Sequence, residues 1–199
     1  MHSWTVRKIV KTFEILNGIS DDIIEHIRYV WNTSDLDDAE NFTNYSLDKH
    51  QDYIQISHTH DLYTYFGSIL DFSFGLSFLV NHPFSGLGPI HTDGARHCAI
   101  NFPIQVDLEN SNFMSAKTFD TKCSLREPDP NEPVNKNALR FEYEPEKYVF
   151  YNLRKPIVAS TKVAHTAYNY SKDKRVLLSI TPHSMTYDKT LECIPRDWF

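Results

Sequence analysis

Apolar and polar residues alternate most clearly in the run 73–80. Phe74, Leu76, Phe78 and Val80 interleave there with Ser73, Gly75, Ser77 and Leu79. Successive side chains of a strand point to opposite faces, so this pattern predicts a half-buried β-strand. Other short runs rich in β-branched and aromatic residues predict strands over 4–15, 53–56, 98–106, 113–119, 139–143, 148–153, 157–167 and 175–180. Pro103 suits the end of a strand or a bulge. The period changes to helical at Ile23, Ile27, Val30 and Trp31, behind Ser20 as a cap and the acids Asp21 and Asp22 in the first turn. A second helix is predicted over 61–71, with Leu62, Phe66, Ile69 and Leu70 inward. The acidic run 32–52 and the Pro-rich run 127–133 read as loops. Many short strands at this spacing predict a mainly β fold, a sandwich or jelly roll, with flanking helices.

With 199 residues the chain is expected to form one domain, 1–199, large enough to bury a sizeable core. The pattern divides it into a helical support region 1–72, a jelly-roll core 73–183 and a tail 184–199. A formal charge of -6 with no basic block speaks against nucleic-acid binding. No apolar run reaches the ~20 residues of a membrane span, and the N-terminus has no signal-peptide character. Cys98, Cys123 and Cys193 are widely spaced, which fits free thiols in a reducing cytoplasm. Oligomeric state is not legible.

The chemistry concentrates in Ile90-His91-Thr92-Asp93-Gly94. If this run is a strand, His91 and Asp93 share a face, about 6–7 Å apart along the backbone. A distant His165 would complete two imidazoles and one carboxylate, the donor set of facial-triad non-haem Fe(II) sites. A polar turn over 169–173 separates His165 from Arg175. Folded as a hairpin, it sets the two opposite each other on neighbouring strands, with Cβ atoms about 4.5–5.5 Å apart. Arg175 then projects past the metal and can fork onto a carboxylate. Leu177 and Ser179 share its face, and Ser179 is a candidate hydroxyl donor to the same carboxylate.

His91-Thr92-Asp93, the distal His165 and Arg175 ten residues on resemble the Fe(II)/2-oxoglutarate-dependent oxygenases. The segment from Pro89 to Pro103 is similar to prolyl-hydroxylase-like and aspartyl/asparaginyl-hydroxylase-like members from phage and marine bacteria. The resemblance covers roughly residues 72–182. It implies a double-stranded β-helix, cupin-like, with the metal at the open mouth between two sheets. It implies Fe(II), 2-oxoglutarate and O2 as cofactors and co-substrates. His91, Asp93 and His165 would be the metal ligands, and Arg175 would anchor the far carboxylate of 2-oxoglutarate. Asn101 matches a family position near the co-substrate. The expected reaction is hydroxylation of an unactivated C–H in an amino-acid-like, peptidyl or small-molecule substrate. The chain departs from the family in lacking a close Arg-x-Ser pair, since Ser179 lies four residues past Arg175.

Other readings compete. His91 and Asp93 could be a surface pair beside a glycine turn, and Arg175 a solvated charge in Lys172-Asp173-Lys174-Arg175. His58-Thr59-His60 has ligand spacing, although Thr59 or Asp61 there could cap the second helix. His97 reads as a pocket or surface histidine. Asn101 could be a buried amide serving the backbone. Tyr143, Tyr148 and Tyr151 are core aromatics or phenol donors to the co-substrate. The loops 81–89 and 120–137 are placed to shape an entrance. A cupin-like metalloenzyme without 2-oxoglutarate and a non-catalytic jelly-roll binding module are the functional alternatives. No nucleophile elbow and no phosphate-binding glycine loop is present.

Overall fold

A computed structural model of the protein describes residues 12–46, 51–117, 124–126 and 139–199. The Pro-rich run 127–133, Cys123 and the start of the first expected strand lie outside the described residues. The strands are β1 (Phe13–Ile15), β2 (Phe42–Ser46), β3 (Gln51–Ile56), β4 (Phe74–Asn81), β5 (Gly86–Leu87), β6 (Cys98–Gln105), β7 (Ser111–Ala116), β8 (Tyr148–Tyr151), β9 (Ile157–Ser160), β10 (His165–Asn169) and β11 (Arg175–Pro182). The helices are α1 (Asp21–Thr33), α2 (Asp61–Gly67) and α3 (Tyr187–Cys193). The strands form a seven-stranded sheet ordered β1-β9-β6-β11-β4-β3-β2 and a four-stranded sheet ordered β5-β10-β7-β8. Two antiparallel sheets facing each other with this strand order make the expected double-stranded β-helix.

The larger sheet is covered on one face by helices and open to the smaller sheet on the other. Phe74, Leu76, Phe78 and Val80 of β4, with Val176, Leu178 and Ile180 of β11, join one apolar cluster. Ile27 and Val30 of α1, Leu62 and Phe66 of α2, and Trp198 complete it. The intervening residues, Leu79 and Asn81 on β4 and Arg175 and Leu177 on β11, line the space between the sheets. Period-two patterning therefore assigns each strand a helix side and a cavity side. Leu177 also joins Phe113, Leu153, Ile157 and Ala159 in a smaller cluster that holds the two sheets together.

Several expectations are corrected. The run 157–167 is not one strand: it breaks after Ser160 and resumes at His165 in the other sheet. The polar run 32–52 contains β2, which pairs with β3. The second helix ends at Gly67, short of residue 71. Residues 90–93 form no strand, and His91 makes only isolated bridges. Ser20 occupies the cap position of α1 but makes no side-chain capping bond, whereas His60 Nδ1 accepts from the backbone N–H of Leu62 and caps α2. His60 thus serves the helix and His58 packs on Tyr63, and among the described residues neither belongs to a group of three metal-ligating side chains. α3, missed in the tail, is capped by Thr186, whose hydroxyl accepts from the Lys189 N–H.

Phe78 is fully buried, and its ring meets Trp31 edge-on at 5.0 Å. Truncation to Ala removes the contact that ties α1 to the sheet. Urea unfolding of Phe78→Ala should show a loss of about 3–5 kcal/mol; a loss under about 1 kcal/mol would contradict this packing.

Candidate metal centre and its cavity

His91 and His165 are brought together by the backbone. His91 N–H donates to His165 O at 3.0 Å, and His165 N–H donates to His91 O at 2.8 Å. This reciprocal pair sets the imidazoles side by side, with ring centroids 4.6 Å apart. Each ring is then oriented by its own chain: His91 Nδ1 meets Pro89 O at 2.8 Å and His165 Nδ1 meets Val163 O at 2.9 Å. A carbonyl accepts only from N–H, so Nδ1 carries the proton in both rings. Both Nε2 lone pairs are left to face the cavity, the tautomer a metal ligand needs.

Asp93 arrives on a loop that is fastened to the turn after β9. Its N–H donates to Thr161 O at 2.8 Å. Lys162 Nζ donates to Asp93 O at 3.0 Å and to Gly94 O at 2.7 Å. Arg96 Nε donates to Asp93 Oδ2 at 2.6 Å, so Oδ1 is the oxygen turned to the histidines. Oδ1 lies 3.4 Å from His91 Nε2 and 3.8 Å from His165 Nε2. Ligand atoms of the three residues all fall within 4.8 Å of one another. Metal–ligand bonds of about 2.0–2.2 Å at right angles place neighbouring donors roughly 3 Å apart, so a small contraction seats one cation.

The protonation states suit that role. Burial lowers the His165 pKa to about 4, with the neighbouring His91 adding to the effect. The ring is therefore neutral near pH 7. Burial alone would raise the Asp93 pKa, but the Arg96 guanidinium and the His91 hydrogen bond outweigh it, and the carboxyl sits far below the usual range. The site therefore offers a neutral His165 imidazole and an ionised Asp93 carboxylate beside the His91 ring.

These groups open into a cavity of about 880 Å³ between the sheets. Its floor is the inner face of the larger sheet, and strand register divides that floor into rows. Gln51, Asn81 and Arg175 form one polar row. Tyr53, Leu79, Leu177 and Pro103 form an apolar row beside it. Gln55, Ser77, Ser179 and Asn101 form a second polar row. Gly75 and Thr181 lie beyond it.

Arg175 is buried at 3% exposure. Its Nη1 donates to Asn81 Oδ1 at 2.6 Å, while its Nε has no partner. Burial lowers its pKa to about 10, still protonated at neutral pH. A buried guanidinium bonded only to a neutral amide is costly unless an anion joins it. Asp93 is the sole carboxylate among the described residues lining the cavity, against Arg96, Arg140 and Arg175.

His165 and Arg175 do not form the expected hairpin. His165 belongs to β10 in the smaller sheet and Arg175 to β11 in the larger, so they face each other across the cavity. Ser179 sits beside Arg96, whose Nη1 donates to its hydroxyl at 3.4 Å, two rows away from Arg175. Asn101 lines the cavity in Ser179's row, with Oδ1 unpartnered. His97 and Tyr143 are exposed and Tyr148 is buried elsewhere. The Tyr151 hydroxyl bonds the Lys155 backbone. Gly88 and Pro89 of the loop 81–89 line the cavity. Of the loop 120–137 only residues 124–126 are described. The residues not anticipated are Arg96, Lys162 and Asn81. Their roles depend on which loop meets which turn, and spacing does not encode that.

No family model matches the chain, and no curated protein sequence does. Solved structures do. The epimerase SnoN, in complex with Fe3+, alpha ketoglutarate and nogalamycin RO, superposes with TM-score 0.55 at 11% identity, covering 87% of this chain and 80% of SnoN. EvdO2 from Micromonospora carbonacea var. aurantiaca gives 0.54 at 14%, covering 95% and 92%. A Pseudomonas putida prolyl-4-hydroxylase gives 0.52 at 11%, covering 88% and 94%. At such identities the likeness establishes the fold.

His165 links the site to acid stability. Its folded pKa of about 4 lies below the ordinary 6.5. Between those values the unfolded chain binds the proton and the folded one does not, so stability rises with pH across that window. Metal-free protein should lose up to about 3 kcal/mol through this group as pH falls from 6.5 to 4. His165→Gln should flatten the slope in pH-dependent urea unfolding; an unchanged slope would contradict a neutral buried ring.

Proposed function

We propose that the chain is an Fe(II)- and 2-oxoglutarate-dependent oxygenase of the superfamily it resembles, hydroxylating a C–H bond of an organic substrate in the cytoplasm. The observation that carries this reading is the pairing of two features in one cavity: a His-Asp-His cluster, and a buried Arg175 with no counter-ion among the described residues. The structural neighbour SnoN is crystallised with an iron ion and alpha ketoglutarate, in the same fold.

His91, Asp93 and His165 would hold the iron, which supplies oxidative decarboxylation of 2-oxoglutarate by O2 to succinate and CO2, with the second oxygen atom going to the substrate. The protein's own part is positioning and charge. Arg96 keeps Asp93 ionised and commits Oδ2, so that Oδ1 remains the ligand. Arg175 neutralises the far carboxylate of the co-substrate. Asn81 spends its carbonyl oxygen on Arg175 and lines the cavity, so its Nδ2 would be the second donor to the same carboxylate. This amide replaces the hydroxyl expected of Ser179. Leu177, one strand step of about 6–7 Å from Arg175, lies beneath the methylene carbons and keeps water from the ion pair.

The test is succinate formation that requires Fe(II), 2-oxoglutarate and O2 together. No succinate, with no 2-oxoglutarate binding to Mn(II)-loaded protein at millimolar concentration, would leave a cupin-like metalloenzyme or a binding module instead. Arg175→Ala should weaken 2-oxoglutarate binding by about 2–5 kcal/mol while Mn(II) binding stays within about threefold. Asn81→Asp gives Arg175 a permanent carboxylate. It should abolish 2-oxoglutarate binding while raising the melting temperature of the ligand-free protein. A drop in both would make Asn81 merely structural.

A further inference from the structure

The cavity is longer than the proposed co-substrate. Gly75 and Thr181 lie six residues along β4 and β11 from Asn81 and Arg175, about 20 Å by strand rise. A five-carbon dicarboxylate anchored at Arg175 cannot reach them. What remains is a lobe beyond the metal ligands, lined by Gln55 and Asn101 of the second polar row and by Gly75.

Gly75 is the second residue of β4, where glycine leaves no side chain to pack. Its backbone does not adopt a positive φ, so chain conformation does not require glycine there. A Cβ on it would meet only His183 Nε2 at 3.3 Å and the Tyr63 hydroxyl at 4.0 Å. The missing side chain keeps a flat slot open between an imidazole and a phenol. His58 packs on Tyr63, with ring centroids 4.4 Å apart, and extends the aromatic wall. Deeper in, the hydroxyl of Ser77 (1% exposed) and Oδ1 of Asn101 (7% exposed) have no hydrogen-bond partner. Buried polar atoms without partners are rare and costly. Asn101 Oδ1 needs a donor, and the Ser77 hydroxyl can give or take.

Charge narrows the ligand further. Gln55, His58, Tyr63, Asn101, Thr181 and His183 line this end of the cavity, and among the described residues lining it there is no Asp, Glu or Lys. Arg96, at its metal-side edge, is held by Asp93 at 2.6 Å. Among the described residues, an ammonium ligand would find no carboxylate here beyond Asp93, which Arg96 holds, and an anion only the Arg96 guanidinium, already bonded to Asp93.

From this we infer that the lobe over Gly75 is the organic-substrate subsite, and that it takes an uncharged, hydroxyl-bearing ring compound. The ring lies with its C–H face on the Gly75 slot. A hydroxyl group reaches Asn101. This assignment rests on the 2-oxoglutarate reading of the opposite end.

The test uses full-length protein loaded with Zn(II), a diamagnetic stand-in, and 2-oxoglutarate. Saturation-transfer NMR is run with methyl α-glucopyranoside and myo-inositol as uncharged probes, glucosamine and glucuronate as charged ones, and a prolyl tripeptide. The uncharged polyols should give signals that fall at least fivefold in Gly75→Val and partly in Gly75→Ala. The alanine variant places one methyl group against a movable imidazole, so it keeps the test alive should valine disturb folding. Affinity for 2-oxoglutarate, titrated in the same samples, should stay within twofold of wild type. Polyol signals that are absent, or unchanged in both variants, overturn the lobe assignment while leaving the co-substrate reading intact. Stronger binding of glucosamine, glucuronate or the peptide than of the polyols overturns the chemical class. Failure of wild-type protein to bind 2-oxoglutarate overturns the reading on which both stand.

Discussion

The reciprocal backbone pair between His91 and His165 is the constraint on which the site depends. It is an isolated bridge, outside any regular strand, yet it fixes two imidazoles that are distant in sequence at one spot on the smaller sheet. Once they are fixed, the local carbonyls of Pro89 and Val163 set both tautomers. The third donor needs less precision from the sheet, because the Asp93 loop is fastened separately by Thr161, Lys162 and Arg96. Rigid sheets thus supply direction, and a short irregular loop supplies reach.

The larger sheet contributes through alternation. Each cavity-facing residue of β4 and β11 has an apolar neighbour that packs under the helices. The hydrophobic effect that seats α1 and α2 therefore also holds Arg175, Asn81 and Leu177 in their rows. Burying a guanidinium this deeply opposes folding. Its retention beside an amide, with Nε unsatisfied, is strain of the kind found at binding sites. An arriving dicarboxylate would relieve it.

Much of this was legible in the sequence, since period-two alternation reports faces directly. β4, β6 and β11 fell where the pattern put them, and Leu177 shares the cavity face with Arg175 as parity required. What alternation cannot report is which sheet a strand joins. The run 157–167 is continuously strand-like, yet it changes sheets between Ser160 and His165. That crossing turned an expected hairpin between His165 and Arg175 into an arch across the cavity. The same blindness hid Asn81, which reads as the polar end of a strand until β4 is known to neighbour β11. Arg96 stands three residues past Asp93, near enough to suspect, but only the loop's path turns it back onto the carboxylate.

The central claim is that three side chains and one guanidinium serve a single metal-dependent dicarboxylate site. The most direct measurement is an anaerobic calorimetric titration of Mn(II) into the purified protein, followed by 2-oxoglutarate. The account predicts one equivalent of metal, and co-substrate binding that is strong only after the metal is in place. Absence of stoichiometric metal, or 2-oxoglutarate affinity that does not depend on it, would contradict the account.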